Sequence, residues 1–333
     1  MKYWMNKRVL VTGCTGLVGS WLTRRLVEEG ADVVGLIRDM VPYSNLNLSE
    51  FDADVVTVRG DLIDYELLLR ILNEYEIDTV FHLAAQTIVT IANRAPLSTF
   101  DANIRGTWNL LEAARATPTL RRFVLASSDK AYGAQEDLPY REGAPLIGKH
   151  PYDVSKSCAD LLAQTYFHTY DMPVGISRCG NIFGGGDLNF NRVIPETMAA
   201  AYEGRPPVIR SDGTPTRDYL YVVDVADAYM CLAEGLDDPK IAGEAFNFSY
   251  EQPQTVAEVV TRTLKVLGRD DLEPEIRGEG MPRGEIPHQY LAADKARDML
   301  NWRPRYGIDE GLKLTYDWYR EFFAGRERRR QAR

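Results

Sequence analysis

Arg8-Val-Leu-Val-Thr12 runs into Gly13-Cys-Thr-Gly-Leu-Val-Gly19, and a helical stretch from Ser20 to about Glu29 follows. The order is apolar strand, glycine-rich turn, helix. Glycines at 13, 16 and 19 let backbone amides approach a pyrophosphate at the positive end of the helix, with Thr15, Leu17 and Val18 in the same turn. The spacing is GxxGxxG, not the commoner GxGxxG. The alternative reading is a purely structural turn.

Asp32–Ile37 reads as the next strand, and Arg38 and Asp39 follow it. An acid at this strand end holds an adenosine ribose and favours NAD, whereas a guanidinium can neutralise a 2′-phosphate. Arg38 therefore tilts the cofactor expectation toward NADP+, with NAD+ as the alternative. Val55–Val58 is a third strand ending at Asp61-Leu62, where the carboxylate can accept from an adenine amino group. A helix over Tyr65–Tyr75 precedes the strand Thr79–Leu83, and small Ala84 and Ala85 let a cofactor backbone pass close to it. His82 reads as a hydrogen-bonded strand residue. Strands alternating with helices imply an α/β fold, a Rossmann-type doubly wound parallel sheet with ligands at the carboxyl ends of its strands.

One such end is Ser127-Ser-Asp-Lys-Ala-Tyr-Gly133, after the apolar run Phe123–Ala126. The helix that opens at Pro151-Tyr-Asp-Val-Ser-Lys156 puts Tyr152 and Lys156 four apart, on one face. A phenol beside an ammonium, facing Ser128, Asp129 and Lys130, is an acid–base set. The helices over Pro96–Ala116 and Tyr152–Tyr170 carry broad apolar faces that could serve a subunit interface or the core.

After Tyr170 the pattern changes. Gly184-Gly-Gly-Asp187 reads as a flexible or close-approach loop, a helix starts around Arg192 and Pro195, and Thr255–Leu267, Asp294–Leu300 and Gly311–Phe323 are helical. Residues 1–180, with 215–248 returning to them, form the expected cofactor domain; 181–214 and 249–333 form a smaller, mixed, mostly helical substrate domain. Arg192, Arg217 and Arg283 are candidates for gripping a diphosphate, against the alternative of surface arginines.

Composition bounds these readings. The 333 residues are 45% hydrophobic and 26% charged, with a net charge of −9. That balance argues against a nucleic-acid binder, despite the basic end from Arg326 to Arg333. Cys14, Cys158, Cys179 and Cys231 show no metal-type spacing, and no metal is expected. No apolar run is long enough to span a membrane. A cytoplasmic protein with reduced thiols and no membrane partner is expected.

Taken together, TGCTGLVG (12–19), HLAAQ (82–86), SSDKAYG (127–133), YDVSK (152–156), RCGNIFGGGD (178–187) and RDYLYVVDVADA (217–228) resemble the extended short-chain dehydrogenase/reductase superfamily acting on nucleotide sugars. The resemblance covers nearly the whole chain. It implies Tyr152 as catalytic phenol, Lys156 as its partner and cofactor ribose ligand, Ser128 as the hydroxyl on the sugar, and Gln86, Asn181 and Arg217 on the nucleotide-sugar side. It also implies tightly bound, regenerated NAD(P)+, a nucleotide-diphosphate hexose substrate and a homodimer. Nucleotide-sugar 4-epimerases usually lack an acid after the serine; 4,6-dehydratases carry one, as Asp129 does here. Ser-Asp-Lys and Gly-Gly-Gly-Asp look most like CDP-glucose 4,6-dehydratases. Leu17-Val18 departs from that group, and the Leu-Ile-Arg end of the second strand is similar to GDP-mannose 4,6-dehydratases, which use NADP. The expected activity is an NDP-hexose 4,6-dehydratase. A 4-epimerase and, further off, a non-catalytic cofactor-binding sensor are the alternatives.

Overall fold

The computed structural model describes residues 2–48, 53–280 and 286–331. Its centre is a seven-stranded parallel sheet of order β11-β6-β5-β4-β1-β2-β3. The strands are β1 (Arg8–Thr12), β2 (Asp32–Ile37), β3 (Val55–Arg59), β4 (Thr79–His82), β5 (Arg122–Ala126), β6 (Val174–Cys179) and, after β7 to β10 described below, β11 (Ala245–Phe248). Alternation along each strand feeds two cores. Val9 and Val11 of β1 pack beneath α1 (Leu17–Glu28) with its Leu22 and Leu26, whereas Leu10 faces Leu68, Ile71, Leu72, Leu110 and Leu111 on the other side. Short α2 (Asn45–Leu48) lies beside α1; α3 (Tyr65–Glu74) covers the second face.

The helix expected over Pro96–Ala116 is interrupted. After α4 (Val89–Arg94), α5 (Pro96–Phe100) passes through a π turn at Asp101–Arg105 before α6 (Gly106–Arg115) continues. Such turns are rare and often sit at functional sites, and this one carries the buried Asn103. The long α7 (Pro151–Tyr170) begins with Pro at its first position, where a missing N–H costs nothing.

Past β6 the chain builds a smaller body. β7 (Asn181–Phe183) pairs with β10 (Tyr219–Tyr221), β8 (Val208–Ile209) with β13 (Glu275–Ile276), and β9 (Thr216–Arg217) lies between β12 (Gln254–Thr255) and β14 (His288–Gln289). α8 (Val193–Glu203), α10 (Val256–Val266) and α12 (Ile308–Gln331) share a third core, with Met198, Val259, Leu312 and Tyr319 at its centre. α9 (Val222–Gly235) packs on α1 and leads to β11, and α11 (Asp294–Leu300) packs on β11. The cleft between the main sheet's carboxyl edge and this body is the topological switch region, where β1 lies between β2 and β4.

Candidate active site

A cleft of about 970 Å³ opens there. Its walls include Gly13, Thr15, Gly16, Leu17, Val18, Gly19, Arg38, Asp61, Leu62, Leu83, Ala84, Ala85 and Gln86 at one end. Ser128, Asp129, Lys130, Tyr152 and Lys156 line the middle, and Asn181, Arg192 and Arg217 the far end. Every site residue expected from the sequence lies in this one cleft except Arg283, which is outside the described residues.

The glycine turn fits a dinucleotide on its own geometry. Gly13 has φ +77°, and a Cβ there would stand 2.8 Å from the Ala84 nitrogen. At Gly19 a Cβ would collide with the Gly13 carbonyl, so this glycine lets α1 start hard against the turn. The N-cap Gly16 offers no side-chain cap and the first turn holds no acid. The amino-terminal dipole of α1 is therefore aimed at the cleft without a competing carboxylate. Arg38 Nε donates to Asp39 Oδ2 at 2.7 Å at the rim.

The middle is buried. Ser128 Oγ donates to Asp129 Oδ1 at 3.0 Å and accepts from the Lys130 backbone N–H at 3.2 Å, and Tyr152 is hydrogen-bonded to Ser128. Burial raises the Asp129 carboxyl above its ordinary range, against the pull of Lys130 and the Ser128 hydrogen bond. Lys156 Nζ donates to the Ala126 carbonyl at 2.7 Å, and burial lowers its pKa to about 8 while Asp160 opposes the shift. Burial also pushes the Tyr152 phenol up to about 12. Burial outweighs the Ser128 hydrogen bond and the Arg192 charge, and so favours the neutral tyrosine.

Several supporting residues were not singled out from the sequence. Asn103 accepts from the Gln86 N–H at 2.7 Å and donates to the Gln86 carbonyl at 3.1 Å and to Ser155 Oγ at 2.9 Å. It ties the Gln86 loop to α7 one residue before Lys156. Arg178 makes a two-pronged ion pair with Asp160, both bonds 2.8 Å, and Ser127 Oγ donates to Asp160 at 2.6 Å. Asp160 lies four residues after Lys156 on α7, a spacing visible in the sequence. Arg210 and Glu196 line the far end. His82 plays the structural part expected of it: its ring nitrogens bond Thr12 (2.8 Å) and Thr107 (2.9 Å), and burial lowers its pKa to about 3.

Residues 10–315 match the family model described as GDP-mannose 4,6 dehydratase. The chain belongs to that family. It is 32% identical to a CDP-glucose 4,6-dehydratase of Salmonella typhimurium, over 98% of this chain and 94% of that one. The epimerase Mth375 of Methanothermobacter thermautotrophicus superposes with a TM-score of 0.87 at 30% identity, covering 97% and 95% of the two chains. DesIV, a dTDP-glucose 4,6-dehydratase from Streptomyces venezuelae solved with NAD bound, gives 0.84 at 29%, covering 94% and 97%. The family's members therefore share a backbone with epimerases, and the extended short-chain dehydrogenase/reductase fold by itself does not separate the two chemistries.

Proposed function

We propose that this chain is an NAD(P)-dependent NDP-hexose 4,6-dehydratase that converts CDP-glucose to its 4-keto-6-deoxy product. The observation that carries this reading is Asp129, a buried carboxyl held toward its protonated form on the cleft wall, one residue from Ser128. A 4-epimerase has no step that needs such an acid.

Bound nicotinamide would accept a hydride from C4 and return it to C6. Tyr152 takes the C4 hydroxyl proton, with Ser128 hydrogen-bonded to the same oxygen. Burial favours the neutral phenol, so the phenolate would need the positive charge of the bound nicotinamide together with that of Lys156. The resulting ketone acidifies the C5 proton. Lys130, which lines the cleft beside Asp129, is assigned to the C5 step: it takes that proton and gives it back to the same carbon, or it stabilises the enolate while another group does so. Asp129 gives its proton to the C6 hydroxyl, which leaves as water. A proton returned to C5 completes the product, so no external oxidant is consumed. Asn181, Gln86, Arg192 and Arg217 are assigned to the nucleotide sugar, and the Gly13–Gly19 turn, Asp61, Leu62 and Leu83–Ala85 to the cofactor.

The finer assignments rest on single features. NADP+ is favoured over NAD+ because Arg38 borders the cleft on an exposed pair that opens at little cost. CDP is favoured by the Ser-Asp-Lys and Gly-Gly-Gly-Asp stretches and by the Salmonella relative. Residues 1–180 with 215–248 form the cofactor domain, the remainder the substrate domain. Leu97, Trp108 and Leu161, exposed by 76%, 44% and 51% on α5, α6 and α7, support a homodimer through these helices. Among the described residues no helix is long and apolar enough to cross a membrane, and the four free thiols support a cytoplasmic setting.

Incubation with CDP-glucose, dTDP-glucose, UDP-glucose and GDP-mannose, each followed by product mass, tests the proposal. Loss of one water from CDP-glucose alone is the expected result. An unchanged mass with a new epimer on chromatography makes the protein an epimerase.

A further inference from the structure

The Gly184–Asp187 loop, read from sequence as flexible or closely approached, is closely approached on every side. A Cβ at Gly184 would run into Val222 of α9, one at Gly185 into the Trp318 ring of α12, and one at Gly186 (φ +99°) into the Asn45 amide of α2. The Gly185 carbonyl accepts from Trp21 Nε1 of α1 at 2.7 Å and from Asn45 Nδ2 at 2.9 Å. Two residues on, the buried Asp187 accepts from Arg192 Nη1 at 2.9 Å, and its own carbonyl accepts from the Tyr319 hydroxyl. Arg192 keeps further N–H groups for the cleft that it lines. The segment bearing Asn45 also carries Arg38, Asp39, Val41 and Ser44, which line the same cleft.

The geometry points to Asn45 as a positioning residue for substrate: through the Gly185 carbonyl and Asp187 it aims Arg192 at the diphosphate of the nucleotide sugar, although it stands on the cofactor side of the cleft. The inference rests on the assignment of Arg192 to the substrate end. Its physical basis is that a guanidinium fork holds a diphosphate only in the right orientation. That orientation is set by a carboxylate on a loop with no space to relax.

The test compares Asn45→Asp and Asn45→Ala with Asp187→Asn and Arg192→Ala. Asn45→Asp keeps the shape and replaces the N–H donor with an acceptor that repels the Gly185 carbonyl. Both Asn45 variants should raise the KM for the NDP-hexose about tenfold with kcat near wild type, and with bound cofactor and melting temperature unchanged. Asn45→Asp combined with Asp187→Asn should cost no more than Asp187→Asn alone, because both act through one path. An unchanged KM in both Asn45 variants, or strictly additive losses, overturns the inference while Arg192→Ala still reports the substrate end. If the wild-type protein removes water from no NDP-hexose, the dehydratase reading fails separately. Calorimetric binding of CDP, UDP, dTDP and GDP then takes the place of KM, and equal affinity in wild type and Asn45→Asp overturns the inference.

Discussion

The middle of the cleft and its Arg38 rim use the same kinds of group, carboxylates and cations, to opposite effect. In the middle, Asp129, Tyr152 and Lys156 are buried, and all three are displaced from their ordinary titration ranges, burial being the largest cause in each. At the rim, Arg38 and Asp39 pair at 2.7 Å with side chains 57% and 70% exposed. Water screens the rim pair, whereas in the middle desolvation outweighs the charges and hydrogen bonds that oppose it. In the proposed mechanism the buried groups transfer protons and the rim pair discriminates between ligands.

Breaking the middle should produce the largest effects. Tyr152→Phe removes the proposed base for the first proton, and kcat should fall by roughly 10²–10⁴-fold. Absorbance should show no reduced nicotinamide on mixing with substrate; undiminished cofactor reduction would falsify the assignment. Asp129→Asn leaves that first step in place. Water loss should drop by about 10²-fold or more while substrate still reduces the cofactor, and full turnover in this variant ends the acid role.

A third test asks whether burial alone displaces carboxyls near the site. Asp218, between Arg217 and Tyr219, is raised from 3.8 to about 6, with burial the main cause and a Ser249 hydrogen bond opposing it. The folded state therefore holds this proton where the unfolded chain has lost it. Stability should fall as pH rises from about 4 to about 6, by on the order of 2–3 kcal/mol from this group. Urea unfolding of Asp218→Asn should show that part of the slope flattened; identical slopes in the two proteins would assign it elsewhere. The rim carries the smallest effect. Arg38→Ala should weaken NADP+ by about tenfold, the scale of one charge-assisted contact, and NAD+ hardly at all. Equal losses for both dinucleotides in a binding titration would show that Arg38 does not read the 2′-phosphate.

Much of this site could be read one segment at a time. The strand–glycine–helix order at residues 8–29, the strand end at Ser128 and the four-residue spacing of Tyr152 and Lys156 are local features. The parallel-sheet rule was enough to bring them to one edge. Asn103 escaped notice because its role depends on a π turn inside a stretch with ordinary helical periodicity. Asn45 escaped because an asparagine in a polar loop carries no signal until its partner, a backbone carbonyl 140 residues away, is in place. The triglycine was legible as unusual, but its cause was not, since Val222, Trp318 and Asn45 come from three distant segments.

The sequence by itself determined the doubly wound sheet, the glycine turn before α1 and which titratable groups gather at the cleft, because periodicity, glycine placement and i,i+4 spacing act over a few residues. Only the tertiary structure decided how those groups titrate and how Arg192 is held. Desolvation of Tyr152, Asp129 and Lys156 depends on everything packed around them. The Asp187–Arg192 pair is fixed by a loop whose walls come from α1, α2, α9 and α12 together.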